Sequence, residues 1–246
     1  MSEPGDVGEF KDIGEYCRAI ETYLCRRNDG HLVRVVGPAF DCVCAWAARG
    51  VPLRVAYRGI DRSVERAQAK GTRRRPLRVE FCDADVMDVF DEWRRAVGIP
   101  ASAAGTGDGV EGDEGEAARR HASLAAHLDR VVARLTALRA SGGLELGEVV
   151  DPVVSELDGV RAGAKGLRGE ARRRLLDRLR ALDVQLLEAT RSRVDAPTLA
   201  ALGAEAEAEL AAFRDRMPAA AYAGAREACL DRLLRDRFKL PVVALE

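Results

Sequence analysis

Apolar residues recur every three or four positions along most of the chain, and this spacing predicts amphipathic helices. Four helices are predicted in the first hundred residues. They cover residues 12–28, the stretch from Pro38 to the stop signal Gly50, residues 53–70, and a segment that begins near the N-cap candidate Asp83. Each has one apolar face, so a small four-helix domain is expected.

One short stretch interrupts this helical pattern. The sequence HLVRVVGP, which starts at His31, is apolar and rich in β-branched residues. Such a composition predicts either a short extended piece or a turn. The stretch therefore separates the first two predicted helices.

In the second half, leucine and valine positions are spaced alternately four and three apart, which is the pattern of a coiled-coil-like seam. The seam consists of Leu124, Leu128, Val131, Leu135 and Leu138. Further helices are predicted around 148–162, over 168–191, after Asp195 and after Pro218. We expect these helices to form an antiparallel bundle and to be a candidate surface for self-association or for a protein partner.

A Gly-rich and acidic stretch divides the two halves of the chain. Residues 98–116, GIPASAAGTGDGVEGDEGE, have almost nothing to bury, which favours a flexible linker. We therefore predict an all-α protein with three parts. These are a small N-terminal four-helix domain over 1–97, the linker over 98–116, and a C-terminal helical bundle over 117–246.

The composition narrows the class of protein. Apolar residues make up 47% of the chain and aromatic residues only 5%, as expected for helical cores with aliphatic packing. The net charge of −1 excludes a generally polyanion-binding protein, because a long-range field needs a charge excess. The start MSEPGDVGEF lacks the apolar run of a secretory signal, and no stretch approaches the ~20 apolar residues of a membrane helix. We expect a cytoplasmic protein with reduced cysteines and no membrane contact.

Candidate catalytic and metal-binding groups are sparse. Cys42 and Cys44 form a C-x-C pair without a second pair at zinc-site spacing, so we interpret them as small buried residues. The three histidines are scattered along the chain: His31, His121 and His127. The motifs of a nucleophile elbow, a zinc protease and a phosphate loop are absent from the sequence. We expect a non-enzymatic protein with no cofactor and no metal site.

Basic residues are concentrated between Arg49 and Arg78, where ten Arg or Lys stand against two acids, a local charge of +8. Arginine guanidinium groups bind phosphate oxygens through two parallel hydrogen bonds, and several at helical spacing can follow a phosphate backbone. The predicted nucleic-acid-binding residues are Arg54, Arg58, Arg62, Arg66, Lys70, Arg73, Arg74, Arg75 and Arg78.

An acidic run opens the fourth predicted helix. It consists of Asp83, Asp85, Asp88 and Asp91. Its spacing lacks the glycine turn and the distal glutamate of a calcium-binding loop, so we interpret it as a solvated helix face. The acidic face of residues 83–92 is also a candidate to neutralise the basic helix, within the domain or between subunits.

The run from Trp46 to Trp93 resembles a segment found in many uncharacterised bacterial proteins. It is also similar to the C-terminal DnaD-like domain of bacterial primosomal replication proteins, helical modules that bind DNA. In that family a tyrosine, an isoleucine and a tryptophan spaced four apart contribute to DNA contact. Val89 and Trp93 occupy the last two of these positions, and Asp85 occupies the first. Since Trp93 lies on the apolar face, we expect it in the core.

Three functions remain open from the sequence, and the third of them is an enzyme of unrecognised type. The first is a helical module that contacts DNA or another polyanion through its Arg-rich helix and loop, in replication or its regulation. The second is a protein-protein adaptor or assembly subunit without nucleic-acid contact, in which charged faces select the partner.

Overall fold

The computed structural model describes residues 13–69, 76–100, 103, 124–140, 147–161 and 167–245. Within these residues the regular structure is entirely helical, which confirms the predicted all-α class. The α-helices in this part of the chain are α1 (Ile13–Arg27), α2 (Pro38–Arg49), α3 (Leu53–Ala69), α4 (Asp83–Ala96), α5 (Leu124–Ala140), α6 (Gly147–Arg161), α7 (Gly169–Arg191), α8 (Ala196–Leu210) and α9 (Ala219–Phe238). Two 3-10 helices, Val79–Phe81 and Ala211–Arg216, precede α4 and α9.

The chain divides into two compact units. Unit 1 comprises Met1–Gly109 together with Ala204–Cys229, and unit 2 comprises Val110–Gly203 together with Leu230–Glu246. The sequence pattern assigns residues 204–229 to the C-terminal bundle, whereas the structure groups them with the N-terminal helices. Most of the predicted linker lies outside the described residues, so its flexibility and the domain boundaries stay predictions.

Aromatic packing explains why a late part of the chain belongs to unit 1. The side chains of Trp46, Phe90 and Phe213 are fully buried. The Phe213 ring centroid lies 6.4 Å from that of Phe90 and 6.0 Å from that of Trp93. Aromatic side chains bury large apolar areas, so these contacts stabilise the grouping strongly. The prediction that Trp93 lies in the core is confirmed.

Gly50 ends α2 and also gives Phe213 room to pack. Its φ of 77° is the left-handed conformation, and its N–H donates to the carbonyls of the preceding turn, as in a typical helix C-terminus. A Cβ at this position would lie 2.9 Å from the Ala212 Cβ. The predicted stop signal therefore also permits close packing that its sequence neighbours do not reveal.

Within unit 1, α3 packs most extensively against α4 and also contacts α1. The axis-to-axis approach of α3 and α4 depends on Gly59, because a Cβ there would lie only 2.4 Å from the Val86 Cα. A glycine at the crossing lets the two backbones come closer than side chains would allow. This close approach positions the residues that flank Val86 against the basic side of α3.

Unit 2 is a helical bundle with one leucine- and valine-rich core. Arg139, near the end of α5, pairs with Asp151 of α6, and Arg161, at the end of α6, pairs with Asp129 of α5. These pairs join opposite ends of the two helices, so α5 and α6 are antiparallel. Leu128 and Leu135 of the predicted seam are completely buried in this core, so they are not available at the surface for self-association.

The segment after α9 is tied to α7 in unit 2. The Asp183 carboxylate accepts hydrogen bonds from the Val243 N–H at 2.6 Å and from the Arg235 guanidinium at 2.5 Å. Val243 is itself part of the apolar core, and its carbonyl lies 3.0 Å from the His127 Nε2. His127 therefore has a structural contact. His121 lies outside the described residues.

Candidate functional site

The basic stripe, defined as Arg54, Arg58, Arg62 and Arg66, runs along α3 at one-turn intervals, as the sequence predicts. Arg62 and Arg66 have side chains that are 46% and 51% exposed, so their guanidinium groups are at the surface of unit 1. The five other predicted basic residues follow α3. Lys70, Arg73, Arg74 and Arg75 lie outside the described residues, and Arg78 lies just before the 3-10 helix Val79–Phe81.

Asp85 of α4 is the centre of the contacts that the stripe makes. Its side chain is only 3% exposed, and its Oδ2 lies 2.7 Å from the Arg66 Nη2. The Arg62 Nε lies 3.8 Å from the Asp85 Oδ1, and the Ser63 hydroxyl donates a hydrogen bond to the same carboxylate. A buried carboxylate is costly without such partners. The interpretation of the acidic run as a solvated face is therefore wrong at Asp85.

Other carboxylates take up more of the stripe. Arg54 pairs with Glu205, which the chain brings from 151 residues away. Arg62 also contacts the Glu92 carboxylate at 3.4 Å. Arg78 pairs with Glu80 at 3.0 Å, outside the stripe. Arg58 is exposed and has no ion-pair partner among the described residues.

The electrostatic consequence is that acidic side chains of unit 1 largely neutralise the described part of the stripe. The sequence offered this neutralisation as one of two interpretations of residues 83–92. Helical spacing identified the arginines, but it did not single out Asp85, because Asp85 shares an acidic face with the exposed Asp88. Glu205 was missed altogether, since its pairing depends on a tertiary contact that no local pattern records.

A second polar cluster joins α1 to α3. The rings of Tyr23 and Tyr57 stack at 4.0 Å, and the Tyr23 hydroxyl donates to the Asp61 carboxylate at 2.8 Å. Arg27 pairs with Asp61 at 2.6 Å, and its guanidinium lies 5.5 Å from the Tyr23 ring centroid. Burial raises the pKa of Tyr23, and the hydrogen bond to Asp61 raises it further. Every charged group in this cluster has a partner, so the cluster locks two helices together.

The edge segment, defined as residues 31–36, lies between α1 and α2 and has no helical structure. The Val33 N–H donates to the Cys25 Sγ at 3.2 Å, and the Val35 N–H donates to the Glu21 carboxylate at 2.7 Å. Two residues of the segment thus match four residues of α1. Four helical residues span about 6 Å, as do two extended residues. The segment is therefore extended and antiparallel to α1, one of the two structures that the sequence predicts.

An open cleft lies between the edge segment and α1. Its volume is about 560 Å³, and its lining includes Leu32, Val36, Arg26 and Arg34. Leu32 is 78% exposed and Val36 is 65% exposed, so two large apolar side chains of this one segment are open to water. Neither Arg26 nor Arg34 has an ion-pair partner in the described part of the chain.

Cys42 does not have the character of a nucleophile. Cys42 and Cys44 are half-buried, not fully buried as predicted. Burial and the nearby Asp83 carboxylate raise the pKa of the Cys42 thiol to about 12, whereas a reactive cysteine needs a lowered pKa. All six cysteines are free thiols. Across the described ranges, His, Cys, Asp and Glu side chains form no group of three that suits a metal ion.

The positions that match the DnaD-like pattern are buried in unit 1. Trp93 is 2% exposed, and its Nε1 donates to Glu209 at 3.2 Å. Val89 and Asp85 are also buried. None of these three side chains is therefore exposed enough to stack on a base or to contact a phosphate.

Comparisons with known proteins add no relative. No protein-family model, no curated protein and no solved structure matches the chain. Among the helices that the structure describes, none combines the length and the apolar character needed to cross a bilayer.

Proposed function

We propose that the chain is a protein-binding adaptor that holds its partner through the edge segment and the adjoining cleft of unit 1. The observation that carries this proposal is the exposure of Leu32 and Val36 in a cleft whose two arginines have no carboxylate partner in the described chain. Exposed apolar groups beside unpaired polar groups are typical of interaction sites.

The contrast with the basic stripe supports this choice. Arg54, Arg62 and Arg66 already contact carboxylates of unit 1, so binding a phosphate there would compete with existing ion pairs. Binding at the cleft would break no ion pair that the structure shows. A partner is thus held at lower cost at the cleft than at the stripe.

A selection of random linear peptides on the immobilised full chain tests the adaptor function. We expect enriched peptides that also bind the purified chain in solution. The double variant Leu32→Ser/Val36→Ser should weaken their binding about thirtyfold, because it removes two apolar contacts of roughly 1 kcal/mol each.

A matched control is available in unit 2. Val184 and Val242 are each 52% exposed, so Val184→Ser/Val242→Ser removes similar apolar surface away from the cleft and should leave binding unchanged. A selection that enriches no peptide, or peptides that bind both double variants equally well, would overturn the proposal.

One observation favours a second candidate, polyanion binding in replication or its regulation. Arg58 has no described partner, and it lies one turn from the half-exposed Arg62 on the stripe. Fluorescence anisotropy of labelled single-stranded and duplex DNA over a salt series tests this function. A log-log slope near −4 is expected if about five phosphates are neutralised.

The variant for that test must leave the ion pairs of Asp85 intact. Arg58→Glu is therefore used, and Arg62 and Arg66 stay unchanged. Arg173→Glu in α7 is the control, because Arg173 is exposed and unpaired in the described chain. DNA binding that Arg58→Glu weakens and Arg173→Glu does not would support the second candidate. Absence of binding at low salt would exclude it.

A further inference from the structure

We infer that the edge segment binds an extended, acidic segment of a partner protein by strand addition. This inference rests on the proposed adaptor function and names the partner's conformation and charge. The protein thereby presents a strand edge even though its described regular structure is helical.

The edge segment has backbone N–H groups that point away from α1. In an extended chain the N–H and C=O groups of successive residues point in opposite directions, and those of alternate residues point the same way. Val33 and Val35 direct their N–H groups at α1, where Cys25 and Glu21 accept them. The N–H groups of residues 32, 34 and 36 therefore point away from α1. These three groups have no hydrogen-bond partner within the described chain.

Two side chains of α1 hold the edge in place before a partner arrives. Glu21 accepts from the Val35 N–H at 2.7 Å, and Cys25 accepts from the Val33 N–H at 3.2 Å. The edge segment is also bounded by residues that reverse the chain: Asp29, Gly30 and Gly37 all have positive φ. A strand fixed in advance loses little entropy when a peptide pairs with it.

The charged side chains of the cleft determine which kind of peptide it favours. The Asp, Glu, Lys and Arg side chains that line the cleft are Glu21, Arg26 and Arg34. The Glu21 carboxylate is engaged with the Val35 N–H, whereas the two arginines have no described carboxylate partner. The cleft therefore favours a peptide that brings carboxylates. Leu32 and Val36 flank Arg34 at alternate positions, so apolar residues beside the acidic ones complete the match.

The charge of Arg34 also disfavours a second copy of this chain as the occupant. Two edge segments that pair antiparallel about a two-fold axis at Arg34 would place the two Arg34 side chains opposite each other. Like charges directly opposite on neighbouring strands are destabilising. An acidic partner removes this repulsion.

The probe for the test is a fluorescein-labelled nine-residue peptide, Val-Thr-Glu-Thr-Val-Thr-Glu-Thr-Val, titrated against the full chain by anisotropy. Its valines and glutamates alternate along one face of the extended chain, as Leu32, Arg34 and Val36 do along the edge segment. A series of the same peptide with one backbone nitrogen methylated at a time then reports the pairing. We expect methylation of every second peptide nitrogen, each of which faces the edge segment, to weaken binding about fivefold, since it removes one backbone hydrogen bond of about 1 kcal/mol. Methylation of the nitrogens that face away from the edge segment should have little effect. Charge attraction alone does not produce a period of two.

Arg34→Glu should weaken the peptide about tenfold, because it replaces an attractive cross-strand pair with a repulsive one. Arg173→Glu makes the same change in net charge in unit 2 and should leave the affinity within about twofold. Far-UV circular dichroism of both variants verifies that the helices are retained.

The outcomes separate the two proposals. Peptides that bind at the cleft without a period of two, or equally to Arg34→Glu, would overturn strand addition and leave the adaptor function standing. Failure of every selected peptide to bind would overturn both. A dimer of the free chain that Arg34→Glu dissociates would identify a second copy as the occupant and would also overturn the inference.

Discussion

The basic stripe and the edge segment belong to the same unit, yet they differ in what their polar groups already contact. Along the stripe, Arg54, Arg62 and Arg66 each meet a carboxylate within unit 1. Along the edge segment, three backbone N–H groups and the Arg34 side chain have no described partner. The basic stripe is thus the more conspicuous of the two in the sequence, yet most of its guanidinium groups are already paired with carboxylates of unit 1. A binding site is better indicated by unmet hydrogen-bonding capacity than by the density of charge.

The difference has a physical origin in burial. Asp85 is nearly inaccessible to water, so its charge needs partners, and α3 supplies them from Arg62, Ser63 and Arg66. The edge segment lies at the surface, where water satisfies its outward groups at no such cost. Changes at the stripe should therefore affect stability first, and changes at the edge segment should affect binding first.

Replacing Gly59 should cost the most unfolding free energy, because Gly59 lies where α3 and α4 approach each other closely. A Cβ at this position would meet the Val86 Cα at 2.4 Å, so Gly59→Ala must separate α3 from α4 and move Asp85 away from its arginines. We expect a loss of about 3 kcal/mol in unfolding free energy. Urea unfolding followed by tryptophan fluorescence measures unit 1 specifically, because both tryptophans, Trp46 and Trp93, lie there.

Gly224 in α9 is the matched control for Gly59. A Cβ there would meet nothing within 4 Å, so Gly224→Ala should leave stability unchanged or raise it by up to about 1 kcal/mol. Equal stability of the two variants would contradict the close crossing of α3 and α4.

Asp85→Ala removes the carboxylate that Arg62 and Arg66 share, while the pairs of Arg54 with Glu205 and of Arg62 with Glu92 remain. We expect a loss of about 2 kcal/mol in unfolding free energy, because the Ser63 hydroxyl and the Arg66 guanidinium lose their shared acceptor. Released arginines should also raise the affinity for DNA and steepen its salt dependence. The exposed Asp88, changed to Ala, should alter stability by less than about 0.5 kcal/mol. If Asp85→Ala binds DNA no more tightly than the unchanged chain, the ion pairs with Asp85 are not what limits DNA binding at the stripe.

Glu21→Ala tests whether the edge segment depends on α1. The Val35 N–H loses its acceptor, which should cost about 1 kcal/mol of stability and weaken the valine-glutamate peptide more strongly than Leu32→Ala does. Glu21→Gln keeps an acceptor oxygen and should retain most of the peptide affinity. Full peptide affinity in Glu21→Ala would mean that the segment holds its conformation without α1.

Arg58→Ala is expected to have the smallest effect. Because this exposed arginine has no described ion-pair partner, its removal should change the unfolding free energy by no more than about 0.5 kcal/mol, whereas Arg66→Ala should cost more, since it leaves Asp85 with weaker pairing. Thermal unfolding followed by tryptophan fluorescence compares the two. A larger loss of unfolding free energy in Arg58→Ala than in Arg66→Ala would contradict the ion pairing assigned to these two arginines.

The helices could be predicted from the sequence because they depend on local periodicity. Ile20, Leu24, Ile60 and Phe90 occupy predicted apolar faces, and all four are buried. Pro38 and Gly50 mark the ends of α2 as expected. The extended character of HLVRVV was one of two predicted alternatives, and its β-branched residues provided the signal.

The remaining features depend on tertiary contacts. Asp85 has the same local pattern as Asp88, but Asp85 is buried next to Val86, where α4 closely approaches Gly59 of α3. Asp83 was predicted as an N-cap, but α4 begins at Asp83 itself, and its carboxylate accepts instead from the Trp46 Nε1 at 2.7 Å. The pairing of Arg54 with Glu205 and the packing of Phe213 on Trp93 join positions more than a hundred residues apart. Periodicity carries no information about such pairs.

The contact between Phe213 and Trp93 also constrains the order of events during synthesis of the chain. About 120 residues separate the two aromatic rings, so a ribosome that elongates at 5–20 residues per second needs roughly 6 to 24 s to add the second ring after the first. During that interval Trp93 and Phe90 lack the aromatic neighbour that covers them in unit 1. The nascent N-terminal helices are therefore exposed to chaperone binding and to aggregation until the chain has passed Phe213.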